Sequence, residues 1–249
     1  MSHDIRPEHK AKILSEALPY IKKFFGKTIV IKYGGNAMVD AELQKAFAED
    51  MAYLRWIGIK PVVVHGGGPQ ISARLAELGI ESEFRDGFRV TTPEIIGVVR
   101  DVLRNDISAE LAALIEGAGA GASVMSGEDS NLFRAEVIGN VGLVGEVTQV
   151  NPRIVFDALD AGKIPVISTV APDASGQLLN VNADLAMLER LEKGQLGADV
   201  SQEAWGELTD DEAVEEVARD PRVVAAVLKL QQAEQAIVSG ESGRKFGDD

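Results

Sequence analysis

Two stretches of the chain share one grammar. TIVIKYGG (28–35) is a β-branched run ended by a glycine pair, and PVVVHGGGPQIS (61–72) is an apolar run, a glycine triplet and a helix start. Between them Leu43, Phe47, Met51 and Leu54 recur at helical spacing across 41–58. Strand, glycine turn, helix, twice over, predicts βαβα units and so an α/β protein with a largely parallel sheet and helices on its faces. Upstream, Leu14, Leu18, Ile21 and Phe25 form one apolar stripe on a helix over 7–25, with Pro19 as a kink. That helix either lies on its own domain or serves as an arm for a partner.

The pattern continues with a helix over 93–117, opened by Thr92 as cap and Pro93 in the first turn. ASVMSG (122–127) reads as a short strand, and the alanine-glycine stretch 117–121 before it as a loop. RAEVIGNVGLVGEVTQV (134–150) is a hairpin turning at Gly139-Asn140. A helix follows over 151–162 with Asn151 as cap, then IPVISTVAP (164–172) as one buried strand, a turn over 173–176, and QLLNVNAD (177–184).

Composition changes the picture after about residue 186. Residues 187–249 hold 15 acids and 7 bases, so −8 of the chain's −14 sits in its last quarter. This stretch reads as helical, with a capping box of Thr209 and Glu212, then Val223, Val227, Leu230 and Ile237 on a second helix. The overall −14 argues against a nucleic-acid backbone or an anionic membrane as partner. No apolar run approaches a membrane span, and the polar start MSHDIRPEHK carries no signal-peptide core. With no cysteine there is neither a disulfide nor a thiolate nucleophile. The expectation is a soluble cytoplasmic protein.

The candidate chemistry is anion handling. There is no P-loop motif and no G-x-S-x-G, and three histidines do not make a metal centre or an ordinary triad. Lys32, at the end of the first strand, stands where open parallel sheets bind ligands. Gly34 and Gly35 after it, and Gly66, Gly67 and Gly68 after the second strand, let backbone N–H groups approach an anion. Arg89, in DGFRVT, is either a surface arginine or a fork for a substrate carboxylate. In LLNVNAD the amides of Asn180 and Asn182 share one strand face, and Asp184 opens a helix. His65 reads as a satisfied structural histidine, and Trp56 and Trp205 as packing residues.

Taken in order, TIVIKYGGNAM, PVVVHGGGPQIS, DGFRVTTPE, VGLVGEVTQVNP, IPVISTVAP and NVNAD follow one another as in N-acetylglutamate kinases of the amino-acid kinase superfamily. The chain resembles that family over about residues 10–186. The resemblance implies a three-layer α/β/α sandwich with a mostly parallel central sheet. It implies transfer of the ATP γ-phosphoryl group to the γ-carboxylate of N-acetyl-L-glutamate, the second step of arginine synthesis, with magnesium carried by the ATP. By that resemblance Lys32 stabilises the transferring phosphoryl group, Gly34 and Gly35 hold phosphates, and Gly66, Gly67, Arg89 and Asn180 bind N-acetyl-L-glutamate. Asp184 orients lysines. Lys229, in LKLQQAEQAIVSG, is either the family's second catalytic lysine or a solvated residue on an ordinary helix. The N-terminal helix is similar to the arm of ring-forming, arginine-sensitive members, which implies a homo-oligomer.

Three regions are therefore expected: a helical arm (1–26), an N-acetylglutamate-binding lobe (27–186) and a reduced, mostly helical nucleotide lobe (187–249). Where the family has a strand ending in a Thr-Asp-Val-type turn, this chain has QLGADVSQEAWGELTDDEA. A second reading follows from that departure: a catalytically dead N-acetylglutamate-binding or assembly subunit without a complete ATP site.

Overall fold

The computed structural model describes residues 6–85 and 87–181. Asn182, Asp184, Trp205, the Thr209 cap, Lys229 and the whole expected nucleotide lobe lie outside the described residues.

Helix α1 (Pro7–Phe24) precedes the alternating unit. Strand β1 (Thr28–Tyr33), a short 3-10 turn (Gly35–Met38), α2 (Ala41–Trp56), β2 (Lys60–His65) and α3 (Gly68–Glu77) follow as the spacing predicts. Asp40 caps α2 by accepting from the Glu42 and Leu43 N–H groups. A small hairpin of β3 (Phe84–Arg85) and β4 (Phe88–Arg89) turns at Gly87, where φ is +82°.

The helix opened by Thr92 runs as α4 (Pro93–Asp101), widens to π geometry over Val102–Ser108, and resumes as α5 (Ala109–Gly117). β5 (Gly121–Ser126), β6 (Phe133–Val137), β7 (Val144–Val150), α6 (Arg153–Asp160), β8 (Lys163–Ser168), β9 (Val170–Pro172) and β10 (Leu178–Val181) complete the order.

The first sheet has the order β1-β2-β8-β5, every pair parallel. The second is mixed, in the order β6-β7-β10-β9, with β7 and β10 parallel and the other pairs antiparallel. Strand alternation divides the core between the two faces of the parallel sheet. Val63, Ile164 and Val166 join Phe47, Met51, Val99, Leu103 and Ile115 from α2 and the 93–117 helix. Val62, Val64 and Ile167 join Val155 and Leu159 of α6, and Phe133, Val147 and Leu179 of the mixed sheet. This is the expected three-layer α/β/α arrangement, with the mixed sheet added beside α6.

Three expectations need correction. Residues 164–172 are two strands rather than one: β8 ends at Ser168 and β9 begins at Val170, so the chain changes sheets across Thr169. Trp56 is 73% exposed and packs no core, because it falls in the last turn of α2, past the buried stretch Phe47 to Ala52. Among the described residues nothing buries Leu14 and Leu18 of the α1 stripe, which are 66% and 46% exposed, while Ile21 is half-buried. Among the described residues no helix is long and apolar enough to cross a membrane.

Candidate active site

Parallel pairing of β1 with β2 runs to Tyr33 opposite His65, so the glycine turns that follow these residues stand side by side at the carboxyl edge of the sheet. They form one wall of an open cleft of about 260 Å³. Lys32, Gly34, Gly35, Gly66 and Gly67 line it from the parallel sheet, Arg89 from the hairpin, and Asn180 and Val181 from the mixed sheet. Every predicted site residue within the described part of the chain is therefore in one cleft. Asp184 and Lys229 lie outside the described residues.

The Lys32 side chain passes over its own turn, since a Cβ on Gly34 would stand 3.5 Å from Lys32 Cε. The two turns are tied together behind the cleft. The Met38 carbonyl accepts from Gln44 Nε2 at 3.0 Å and from Gln70 Nε2, in the first turn of α3, at 2.8 Å. Tyr33 donates its hydroxyl to the Ala37 carbonyl at 2.8 Å. Burial, and after it Glu110, pushes the Tyr33 phenol well above its ordinary range, so it remains a donor.

Gly67 is set by packing. Its φ of 178° suits any residue, but a Cβ there would meet Ile107 Cδ1 at 2.4 Å and Leu103 Cδ2 at 2.7 Å, both on the π segment. Gly66 and Gly68 have open space instead. Behind the turn His65 is fully buried. Its Nδ1 lies 2.9 Å from the Gly66 carbonyl oxygen, which only accepts, so Nδ1 carries the proton and donates. Nε2, 2.6 Å from Ser108 Oγ, then accepts from that hydroxyl. Burial pushes the imidazole down to about 4, against a smaller opposing effect from the Gly66 carbonyl. The structural reading of His65 holds: a neutral ring that steadies the glycine turn.

Arg89 is 6% exposed rather than a surface arginine. It donates through Nη1 to Ser82 Oγ, and through Nη2 to Ser72 Oγ at 2.7 Å and the Gly68 carbonyl at 3.1 Å. Phe84 lies over the guanidinium, with its ring centre 4.6 Å from Cζ. All of these partners are neutral, and among the described residues no carboxylate pairs with Arg89. Desolvation lowers its pKa from the ordinary arginine range. A buried cation held only by neutral oxygens beside an open cleft is matched to an incoming anion.

Several contributors carry no sequence signal. Ser72 and Ser82 hold Arg89, Ser108 holds His65, and Thr169 lines the cleft at the point where the chain changes sheets. Each is a small polar residue; Ser82 and Ser108 lie outside the quoted motifs, and Ser72 and Thr169 lie inside them without a chemical signal of their own. The π segment that carries Ser108 is invisible in a helical hydrophobic pattern.

Among known proteins, the model of the amino acid kinase family matches residues 27–199. An acetylglutamate kinase from Nocardia farcinica is 55% identical over 192 residues, covering 74% of this chain and 63% of the relative. One from Arthrobacter sp. is 57% identical over 193 residues, covering 72% and 62%. The chain thus spans less than two thirds of the length of these curated relatives. A solved Streptococcus mutans protein superposes with a TM-score of 0.61 at 27% identity, over 66% of this chain and 68% of that one. An N-acetylglutamate synthase from Neisseria gonorrhoeae, complexed with coenzyme A and N-acetyl-glutamate, shares the fold at 21% identity. Its TM-score is 0.60, over 69% of this chain and 40% of that one.

Proposed function

The chain belongs to the amino acid kinase family, and on that premise we propose that its cleft binds N-acetyl-L-glutamate and directs ATP-dependent phosphorylation of the γ-carboxylate. The observation that carries this reading is Arg89, a buried guanidinium without a carboxylate partner among the described residues, facing the same cleft as Lys32 and two glycine turns. The likeness to acetylglutamate kinases supports N-acetyl-L-glutamate as the substrate.

The reaction asks little acid–base chemistry of the protein. A carboxylate is already ionised at pH 7, so its oxygen attacks the γ-phosphorus with no proton to remove. The bond from phosphorus to the bridging oxygen breaks, and ADP leaves with that electron pair. The neutral, fully hydrogen-bonded His65 is consistent with a site that needs no base. In this reading Lys32 neutralises charge on the transferring group, while Gly34 and Gly35 offer N–H groups to phosphates. Gly66, Gly67, Arg89 and Asn180 hold the acyl substrate. The roles proposed for Asp184, orienting lysines, and for Lys229, as the second catalytic lysine, fall on residues outside those described.

Magnesium would arrive with ATP and help neutralise its phosphates. Among the described residues no group of three or more acids or histidines is placed to hold a metal. No residue is therefore assigned to it, and no step is routed through it. The setting proposed is arginine synthesis in the cytoplasm. The exposed stripe of α1 serves as an assembly arm between copies of the chain.

Hydroxylamine trapping tests the activity. With ATP, Mg²⁺ and N-acetyl-L-glutamate, hydroxamate should form and vanish in Lys32→Ala. A folded sample that binds N-acetyl-L-glutamate yet makes no hydroxamate would leave only a dead binding subunit, which the likeness to kinases does not favour.

A further inference from the structure

Arg89 and Asn180 meet through a third side chain. Thr91 is fully buried, two residues beyond Arg89. Its Oγ1 lies 2.9 Å from the Arg89 carbonyl oxygen and 3.3 Å from the Asn180 side-chain amide. A carbonyl oxygen only accepts, so the one hydroxyl proton goes to Arg89. Toward Asn180 the hydroxyl is therefore an acceptor, and the amide must turn Nδ2 to it. What is left for the cleft is the other edge of that amide, Oδ1 with the second N–H.

The backbone holds Thr91 in place to do this. Its N–H donates to the Val141 carbonyl at 2.9 Å, and its carbonyl accepts from the Leu143 N–H at 2.7 Å. Leu143 in turn accepts from the Asn180 N–H at 2.9 Å. Gly142, at φ +77°, closes this turn so tightly that a Cβ would stand 2.3 Å from the Thr91 carbonyl oxygen. The hairpin of Arg89, the turn after β6 and the strand of Asn180 all converge on one threonine.

We propose that Thr91 is a positioning residue, whose hydroxyl fixes which edge of the Asn180 amide faces the cleft and so sets affinity for the acyl substrate. This rests on the reading that Asn180 binds N-acetyl-L-glutamate. Without the hydroxyl the amide turns its other edge to the cleft, and a ligand must reverse it before binding.

The test titrates N-acetyl-L-glutamate into the full chain and into Thr91→Val, Thr91→Ser, Asn180→Ala and the Thr91→Val/Asn180→Ala double variant. Thr91→Val should weaken binding about 5- to 10-fold, the size of one hydrogen bond, and Thr91→Ser should bind like the parent. On the Asn180→Ala background Thr91→Val should change binding less than about 2-fold, because the group it acts through is gone. Equal losses on both backgrounds would make Thr91 a structural residue and overturn the proposal. In ligand-free samples the Asn180 side-chain ¹H–¹⁵N pair should shift in Thr91→Val and stay put in Thr91→Ser. A parent chain that binds no N-acetyl-L-glutamate would sink the functional reading. The side-chain signal would still decide the Thr91 contact, and an unmoved signal in Thr91→Val would end the proposal.

Discussion

The hydroxyl of Ser108 donates to Nε2 of His65 at 2.6 Å, across 43 residues of chain. Burial keeps this histidine neutral in the fold, and this has a pH signature. Its folded pKa of about 4 lies below the unfolded value of 6.5. Between those values the unfolded chain takes up a proton that the native ring refuses. Stability from this group is complete above pH 6.5 and falls by about 1.4 kcal/mol per pH unit as the pH drops toward 4. Urea unfolding at pH 7.5 and 5.0 should show the parent losing about 2 kcal/mol more than His65→Gln. Equal losses would mean that His65 is protonated in the native protein.

Arg89 is held on both sides of its fork, by Ser82 on one and by Ser72 and Gly68 on the other. A lysine ammonium has no second arm. Arg89→Ala should weaken N-acetyl-L-glutamate binding on the order of 100-fold, and Arg89→Lys should recover only part of it. Calorimetric titration reads both. Full recovery by lysine would show that charge alone, without the fork, suffices.

Adjacent glycines should fail in different ways. Gly67→Ala forces a methyl against Ile107 and Leu103 and should cost about 1–3 kcal/mol in a melt. Ile107→Val, which removes the Cδ1 at 2.4 Å, should return part of that cost in the double variant. Gly66→Ala meets nothing within 4 Å, so its melt should match the parent while ligand binding weakens. A melt lowered equally by both substitutions would refute the distinction.

Removing residues 1–26 should lower the mass measured by light scattering if α1 joins copies of the chain through Leu14 and Leu18. An unchanged mass would leave the exposed stripe without that role.

The sequence carried the parallel sheet because TIVIK and PVVVH are β-branched runs cut off by glycines, and both properties are local. It carried the site because Lys32, the glycine turns, Arg89 and Asn180 each sit in a motif. It did not carry the break at Thr169: VISTVAP is mostly apolar, interrupted only by Ser168 and Thr169, and such a run records burial without recording which sheet buries it. Nor did it carry the serines. Ser72 lies one turn into α3 and becomes meaningful only when the hairpin folds over and brings Arg89 to it. Trp56 departs from the expected packing for a related reason: a large ring implies burial, but α2 extends past its packing surface and leaves this one exposed.

The strand order β1-β2-β8-β5 also sets a timetable. β8 is the last of the four to leave the ribosome, yet it lies between β2 and β5 and pairs with both. Until residue 168 has emerged, β2 and β5 each present a row of unsatisfied backbone groups, and no local contact can close the gap. Assembly of the nascent chain thus waits on a long-range insertion, which makes folding slow for this length and leaves sticky intermediates while it proceeds. Ribosomes stalled before residue 163 would release a fragment with the glycine turns already made and nothing to hold them in one sheet with β5.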